Sequence, residues 1–382
     1  MKRIYLDTAA GFNNPSSIHV EGVAAAKALD SARALTAAIL GTRAEEIIFT
    51  SGGTESNNLA IFGLVRTFGK GHIITTAIEH ASVLEPCRSL EREGWAVTYL
   101  PVKPDGLTDP AVFARALRPD TVLVSIAYAN NEIGVIQPLR ELARVVRKFR
   151  NVKHRNVQHR MSNKMCDIRC LTPIFHTDAC QAPRFLDCRV PALGVDMMTL
   201  NSGKIYGPKG VGCLYVRQGI KLSPLLLGGG QERGLRSGTE NVPGIVGLAA
   251  ALRLGAKLRE KESVRLAKLR DYFIEKLLAL PGVVLNGSAE SRLPNNINVS
   301  FVGADSEYLV LALDAAGVAC SSGSACSTHL QDSSYVIQAL GGNQERARSA
   351  VRFTLGRDTT KRDLDYVLKI LPGILSRSRV EL

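Results

Sequence analysis

The sequence predicts an α/β protein: a mostly parallel sheet flanked by helices, followed by a smaller α+β C-terminal domain. Three observations predict it. Short runs rich in β-branched residues alternate with helical stretches through the first two thirds of the 382 residues. A long helical pattern near 242–280 then breaks that rhythm. Beyond Pro281-Gly282, strand and helix patterns are mixed.

The strand candidates lie at 47–50, 72–76, 97–100, 121–126, 173–177 and 211–216, each short and apolar. Helical patterns near 55–68, 82–93, 109–117 and 138–149 separate the earlier ones. That order suits parallel strands joined by crossover helices. After the long helix, strands are expected at 296–301 and 351–355, with a helix near 305–315 between them. The division expected is a large domain over 12–250 and a small domain made of 1–11 and 251–382.

Composition narrows the class. Hydrophobic residues make up 45%, enough for a sizeable core, and no apolar run reaches the roughly 18 residues of a membrane span. Met1-Lys2-Arg3 leads straight into a strand-like run without a signal-peptide core, so a cytoplasmic location and no membrane partner are expected. The eight cysteines form no secreted framework and read as reduced thiols. The net charge of +13 is partly local: residues 147–169 hold eight Lys or Arg against one Asp.

The chemistry is carried by three segments. Thr50-Ser51-Gly52-Gly53-Thr54-Glu55 follows a strand and opens a helix, where backbone N–H groups favour an anion. An ordinary strand-to-helix turn looks the same. Asp178 stands at the C-terminal end of a strand, the edge where ligands of open α/β sheets bind, and suits a partner for a pyridinium nitrogen. Lys204 sits among small residues with turn chemistry behind it, as a Schiff-base lysine requires. Singly, each reads equally well as solvated surface; their order along the chain is what gives them weight.

Further runs join them: Asn14-Pro15-Ser16-Ser17-Ile18-His19, Glu79-His80, Asn130-Asn131-Glu132-Ile133-Gly134, Asp178-Ala179-Cys180-Gln181, Lys204-Ile205-Tyr206-Gly207-Pro208-Lys209-Gly210, Arg236-Ser237-Gly238-Thr239, Ser321-Ser322-Gly323-Ser324-Ala325-Cys326 and Val351-Arg352-Phe353-Thr354-Leu355. With these, the chain resembles the IscS/NifS-type cysteine desulfurases, fold type I (class V aminotransferase-like) transferases that depend on pyridoxal 5'-phosphate (PLP). The resemblance implies a homodimer that takes sulfur from L-cysteine, releases L-alanine and holds the sulfur as a persulfide. A sulfur-acceptor protein, an iron–sulfur scaffold or a tRNA-thiolating enzyme, would then receive it.

The same resemblance implies roles. Lys204 would carry the cofactor and shuttle the substrate α-proton. Asp178 would pair the ring nitrogen, Gln181 the ring hydroxyl, and His80 would stack on the ring and assist proton transfer. Gly53 and Thr54 would hold the phosphate, with Thr239 from the neighbouring subunit. Arg352 would bind the substrate carboxylate through its two-pronged guanidinium. Asn131 would contact cofactor and substrate, and Asn14 the substrate. Cys326, in a run of small residues that makes an exposed loop, would be the sulfur-accepting nucleophile.

The chain departs from the family in three places. A segment usual between the Leu6-Asp7-Thr8-Ala9-Ala10 start and the Asn14 run is missing. The usual Ser-x-His before the lysine is replaced by Asn201, Ser202 and Gly203, so Asn201, Ser202 and the Gly203 N–H are expected to hold the phosphate instead. Residues 150–172 form a basic insertion containing His154, His159, Cys166 and Cys170. That spacing is compatible with zinc or iron, but a basic surface loop is the plainer reading and no metal is expected. Two alternatives stay open. One is a related PLP enzyme such as a selenocysteine lyase, an aminotransferase or a kynureninase-like hydrolase. The other is a non-catalytic partner that binds RNA or protein through the insertion.

Overall fold

The computed structural model describes residues 4–158, 172–323 and 333–378. Helix α1 (Val20–Leu40) begins at His19, whose Nδ1 accepts the Gly22 N–H, and stops at Gly41 in the left-handed region at φ 66°. Its alanine-rich sequence is strongly helix-forming. There follow β1 (Ile47–Thr50), α2 (Gly53–Val65), β2 (His72–Thr76), α3 (Ala81–Arg92), β3 (Ala96–Leu100), α4 (Pro110–Ala116), β4 (Thr121–Ser125), α5 (Leu139–Gln158), β5 (Ile174–Asp178), the short α6 (Val190–Leu193), β6 (Met197–Asn201) and β7 (Gly212–Val216).

The seven strands lie in the order β1-β7-β6-β5-β4-β2-β3. Pairing is parallel from β3 across to β6, and β7 runs antiparallel to both β1 and β6. Every residue of β2, β4 and β5 is buried, as expected of parallel strands covered on both faces. Helix α5 runs past the expected stop near residue 149. Arg150 is docked, donating to Pro173 O at 3.1 Å and pairing with Asp196, so residue 150 belongs to the framework and not to an insertion. His159, Cys166 and Cys170 lie outside the described residues, with the rest of 159–171.

Helix α7 (Val242–Leu278) has 37 residues and is roughly 55 Å long. Ile245, Leu248 and Leu252 join the core of the large sheet; Leu266, Phe273 and Leu277 join a second core. The expected division between residues 250 and 251 falls within this helix. The second core lies against a four-stranded antiparallel sheet, β8 (Val283–Leu285), β9 (Asn296–Phe301), β10 (Ser321–Ser322) and β11 (Ala350–Thr354), in the order β10-β11-β9-β8. Helices α8 (Ser306–Ala315), α9 (Tyr335–Ala339), α10 (Gln344–Arg348) and α11 (Lys361–Ser378) complete it. Phe273 meets Phe353 edge-on at 5.3 Å. Among the described residues no helix is long and apolar enough to cross a membrane.

Candidate active site

A cavity of about 390 Å³ is lined from the large sheet by residues at the carboxyl ends of β5 and β6 and from the second sheet by Arg352 and Thr354 of β11. Carboxyl ends of parallel strands splay away from their crossover helices and leave such crevices. Gly53, Thr54, His80, Asn131, Asp178, Gln181, Asn201, Gly203, Lys204 and Arg352 all line it, although they are spread over three hundred residues of sequence.

One end is built on the start of α2. Gly52 turns the chain at φ 155°, and Gly53 begins the helix. A β-carbon on Gly53 would stand 2.8 Å from Cys180 Sγ, so the backbone is bare by necessity. Asn201, the last residue of β6, lies beside it: its Nδ2 is 3.5 Å from that same β-carbon position, while its Oδ1 accepts the Gly203 N–H at 3.1 Å. Two expectations need correction here. The Gly203 N–H is engaged by Asn201 and is not a free phosphate donor. Ser202 is fully buried and off the cavity lining, its hydroxyl tucked under Gly207 without a hydrogen-bond partner.

The middle of the cavity is held more tightly. Asp178 ends β5, and its Oδ1 accepts the Cys180 N–H at 2.9 Å. Its Oδ2 accepts from Asn57 Nδ2 at 2.7 Å. Asn57, on α2, also donates to Ser82 Oγ at 2.8 Å. Ser82 in turn gives its N–H to His80 Nδ1 at 3.1 Å, and its hydroxyl lies 2.8 Å from the same nitrogen. With Nδ1 accepting, the proton of neutral His80 sits on Nε2. Asn57 and Ser82 are the supports that sequence reasoning missed. Asn57 is one helical turn from Gly53, the only local hint that it faces the same site.

Lys204 is exposed to the cavity and, among the described residues, has no ion-pair partner. The opposite wall is Arg352, whose Nη1 donates to Asn131 O at 2.9 Å. Asn130 shapes that turn by accepting the Glu132 and Ile133 N–H groups and donating to Ile78 O. Gly134 has φ 71° and faces Asn296 so closely that a β-carbon would lie 2.5 Å away. At the mouth, Tyr206 is stacked between Arg184 (4.0 Å) and Arg357 (4.8 Å), a cation–π pair the motif did not announce.

Asn14 and Thr239 do not line this chain's cavity, Thr239 being expected to serve that of a neighbouring subunit. Asn14 spends its side chain on its own turn, with Ala10 O at 2.7 Å and the Ser16 N–H at 2.9 Å. Thr239 is exposed. Cys326 lies outside the described residues. The described thiols make weak nucleophiles: burial pushes Cys87, Cys188 and Cys213 up to about 12 and Cys320 up to about 11, and raises Cys180 well above its usual value.

The donor set fits PLP. Backbone and amide donors at a helix start suit a phosphate, a buried aspartate suits a ring N–H, and a lysine exposed to the cavity suits a carbonyl carbon. Fold and site thus define a fold type I PLP-dependent enzyme. The chain belongs to the aminotransferase class-V family, whose model matches residues 1–155 and 167–367. Cysteine desulfurase IscS of Dictyoglomus turgidum is 46% identical over 372 residues, covering 96% of this chain and 89% of the relative. Cysteine desulfurase IscS 1 of Archaeoglobus fulgidus is 41% identical over 370 residues, covering 96% and 91%. A solved NifS-like protein superposes with a TM-score of 0.84 at 35% identity, over 95% of this chain and 92% of that one.

Proposed function

We propose that the chain is a PLP-dependent cysteine desulfurase in which Lys204, Asp178, His80 and Arg352 handle L-cysteine and Cys326 receives its sulfur. The observation that carries this reading is the meeting of Lys204, Asp178 and Arg352 round one cavity. Bound there, PLP would supply an electron sink for the substrate α-carbon. Gly53, Thr54 and Asn201 would hold its phosphate, Asp178 and Gln181 its ring, and Lys204 its carbonyl carbon.

Arg352 takes the substrate carboxylate, which fixes the α-carbon near Lys204. The Lys204 amine would take the α-proton, and Asp178 would hold the cofactor's ring nitrogen in its protonated form. His80, with its proton on Nε2, stands ready to exchange a proton with the substrate. The Cys326 thiolate would attack the substrate sulfur; the carbon–sulfur bond breaks with its electron pair going to the β-carbon, which gains a proton, the α-carbon regains the proton held by Lys204, and alanine leaves. Cys326 then carries a persulfide. The raised thiols of Cys87, Cys180, Cys188, Cys213 and Cys320 favour a nucleophile outside that group.

The same reading makes the protein a cytoplasmic homodimer that hands sulfur to an acceptor for iron–sulfur assembly or tRNA thiolation. The exposed Thr239 and the exposed apolar Leu6, Phe12 and Ile18 support a partner subunit. The test is to load the purified protein with PLP, add L-cysteine and a thiol reductant, and measure alanine and sulfide together. Equal amounts are expected. Pyruvate and ammonia in place of alanine would overturn the assignment.

A further inference from the structure

Glu132 is 1% exposed and has no place in the chemistry described so far. Its surroundings are specific. Its Oε1 accepts the hydroxyl of Ser334, and a β-carbon on Gly323 would stand 3.7 Å from the same oxygen. Its main-chain oxygen accepts from Asn296 (3.0 Å) and Asn298 (3.1 Å) of β9. Arg352 donates to the carbonyl just before it, that of Asn131, and pairs in register with Asn298 on one side and Ser321 on the other. Next to Ser334, the Tyr335 hydroxyl donates to Glu79 O at 2.6 Å, one residue before His80.

Burial pushes the Glu132 carboxyl up; the Ser334 hydroxyl and the Arg352 cation pull it down, and the balance stays above the usual carboxylate range. Holding a carboxylate there is therefore costly, and a packing role alone would be served as well by a neutral side chain of the same volume. No other charged group is set against it among these contacts.

We propose that Glu132 is a positioning residue for substrate recognition: it fixes the Arg352 guanidinium and the Ser334 foot in one register, so that the α-carboxylate clamp stands ready-made. This inference rests on the desulfurase reading above. It predicts a defect confined to binding the carboxylate, because Glu132 itself does not line the cavity.

The test compares PLP-loaded wild type with Glu132→Gln, which keeps the volume and a hydrogen-bond partner for Ser334. L-Alanine binding is measured by calorimetry, and turnover is measured with L-cysteine and with L-cysteine methyl ester, which has no free carboxylate. Glu132→Gln is expected to weaken L-alanine binding and raise KM for L-cysteine by about tenfold, as the Ser334 hydrogen bond falls from charge-assisted to neutral and the turn under Arg352 loosens, with kcat within about threefold. KM for the methyl ester should not move. Unchanged L-cysteine KM and L-alanine binding, or equal losses on both substrates, would overturn the proposal. Should Glu132→Gln not fold, Ser334→Ala cuts the same tether and is expected to raise KM for L-cysteine about threefold; no change there would also overturn it. Wild-type protein that neither binds L-alanine nor turns over L-cysteine would sink the desulfurase reading, and this inference with it.

Discussion

The two ends of the cavity are built differently. Where Asp178 and His80 stand, a relay of hydrogen bonds runs Asp178–Asn57–Ser82–His80, with every link at 3.1 Å or less and with three elements contributing. Where the phosphate would sit, the serine and histidine usual in the family are absent. Asn201 both faces the α2 start and consumes the Gly203 N–H, while Ser202 is buried out of reach. Dense buried networks rigidify a site, whereas a single amide can serve only a few bonds. The ring end is therefore preorganised and the phosphate end relies on few donors.

The largest effect tests what both ends serve. Lys204→Ala is expected to abolish turnover, and borohydride should no longer fix PLP covalently to the chain. Retained covalent labelling would move the lysine role elsewhere. A smaller loss would break the ring end alone: Asn57→Ala removes a hydrogen bond to a charged group and should lower PLP affinity about tenfold, read by equilibrium dialysis. At the phosphate end, Asn201→Ala removes a donor but releases the Gly203 N–H, so a loss of about fivefold is expected in the same assay. The smallest effect sharpens the contrast. Ser202→Ala should leave PLP affinity within about twofold and not lower Tm, because its hydroxyl is buried without a partner. A larger drop for Ser202→Ala than for Asn201→Ala would reverse the account of this end.

How much of this was legible in the sequence depends on how local each signal was. The strands at 47–50 and 72–76 and the long helix came through, since apolar runs and helical spacing are written in consecutive residues. Sequence reading placed no strand at Met197–Asn201, where β-branched residues are sparse, and no helix at Val20–Leu40, whose alanines blur an amphipathic pattern. Asp178 and Lys204 stood out by their turn chemistry. Asn57 did not, because its partner is 121 residues away and only the packing of α2 against β5 joins them. Ser202 and Gly203 failed for the opposite reason: neighbours of Lys204 in sequence, they are turned inward or tied to Asn201 by a three-residue 3-10 turn.

The central claim is that sulfur leaves L-cysteine for Cys326. It is tested most directly by adding L-cysteine to the PLP-loaded protein without reductant, alkylating, and mapping the peptides by mass spectrometry. The account predicts one extra sulfur on the Cys326 peptide, formed with one alanine per persulfide and absent from Cys326→Ala. Extra sulfur on Cys320 or Cys180 with Cys326 unmodified, or undiminished persulfide in Cys326→Ala, would contradict it.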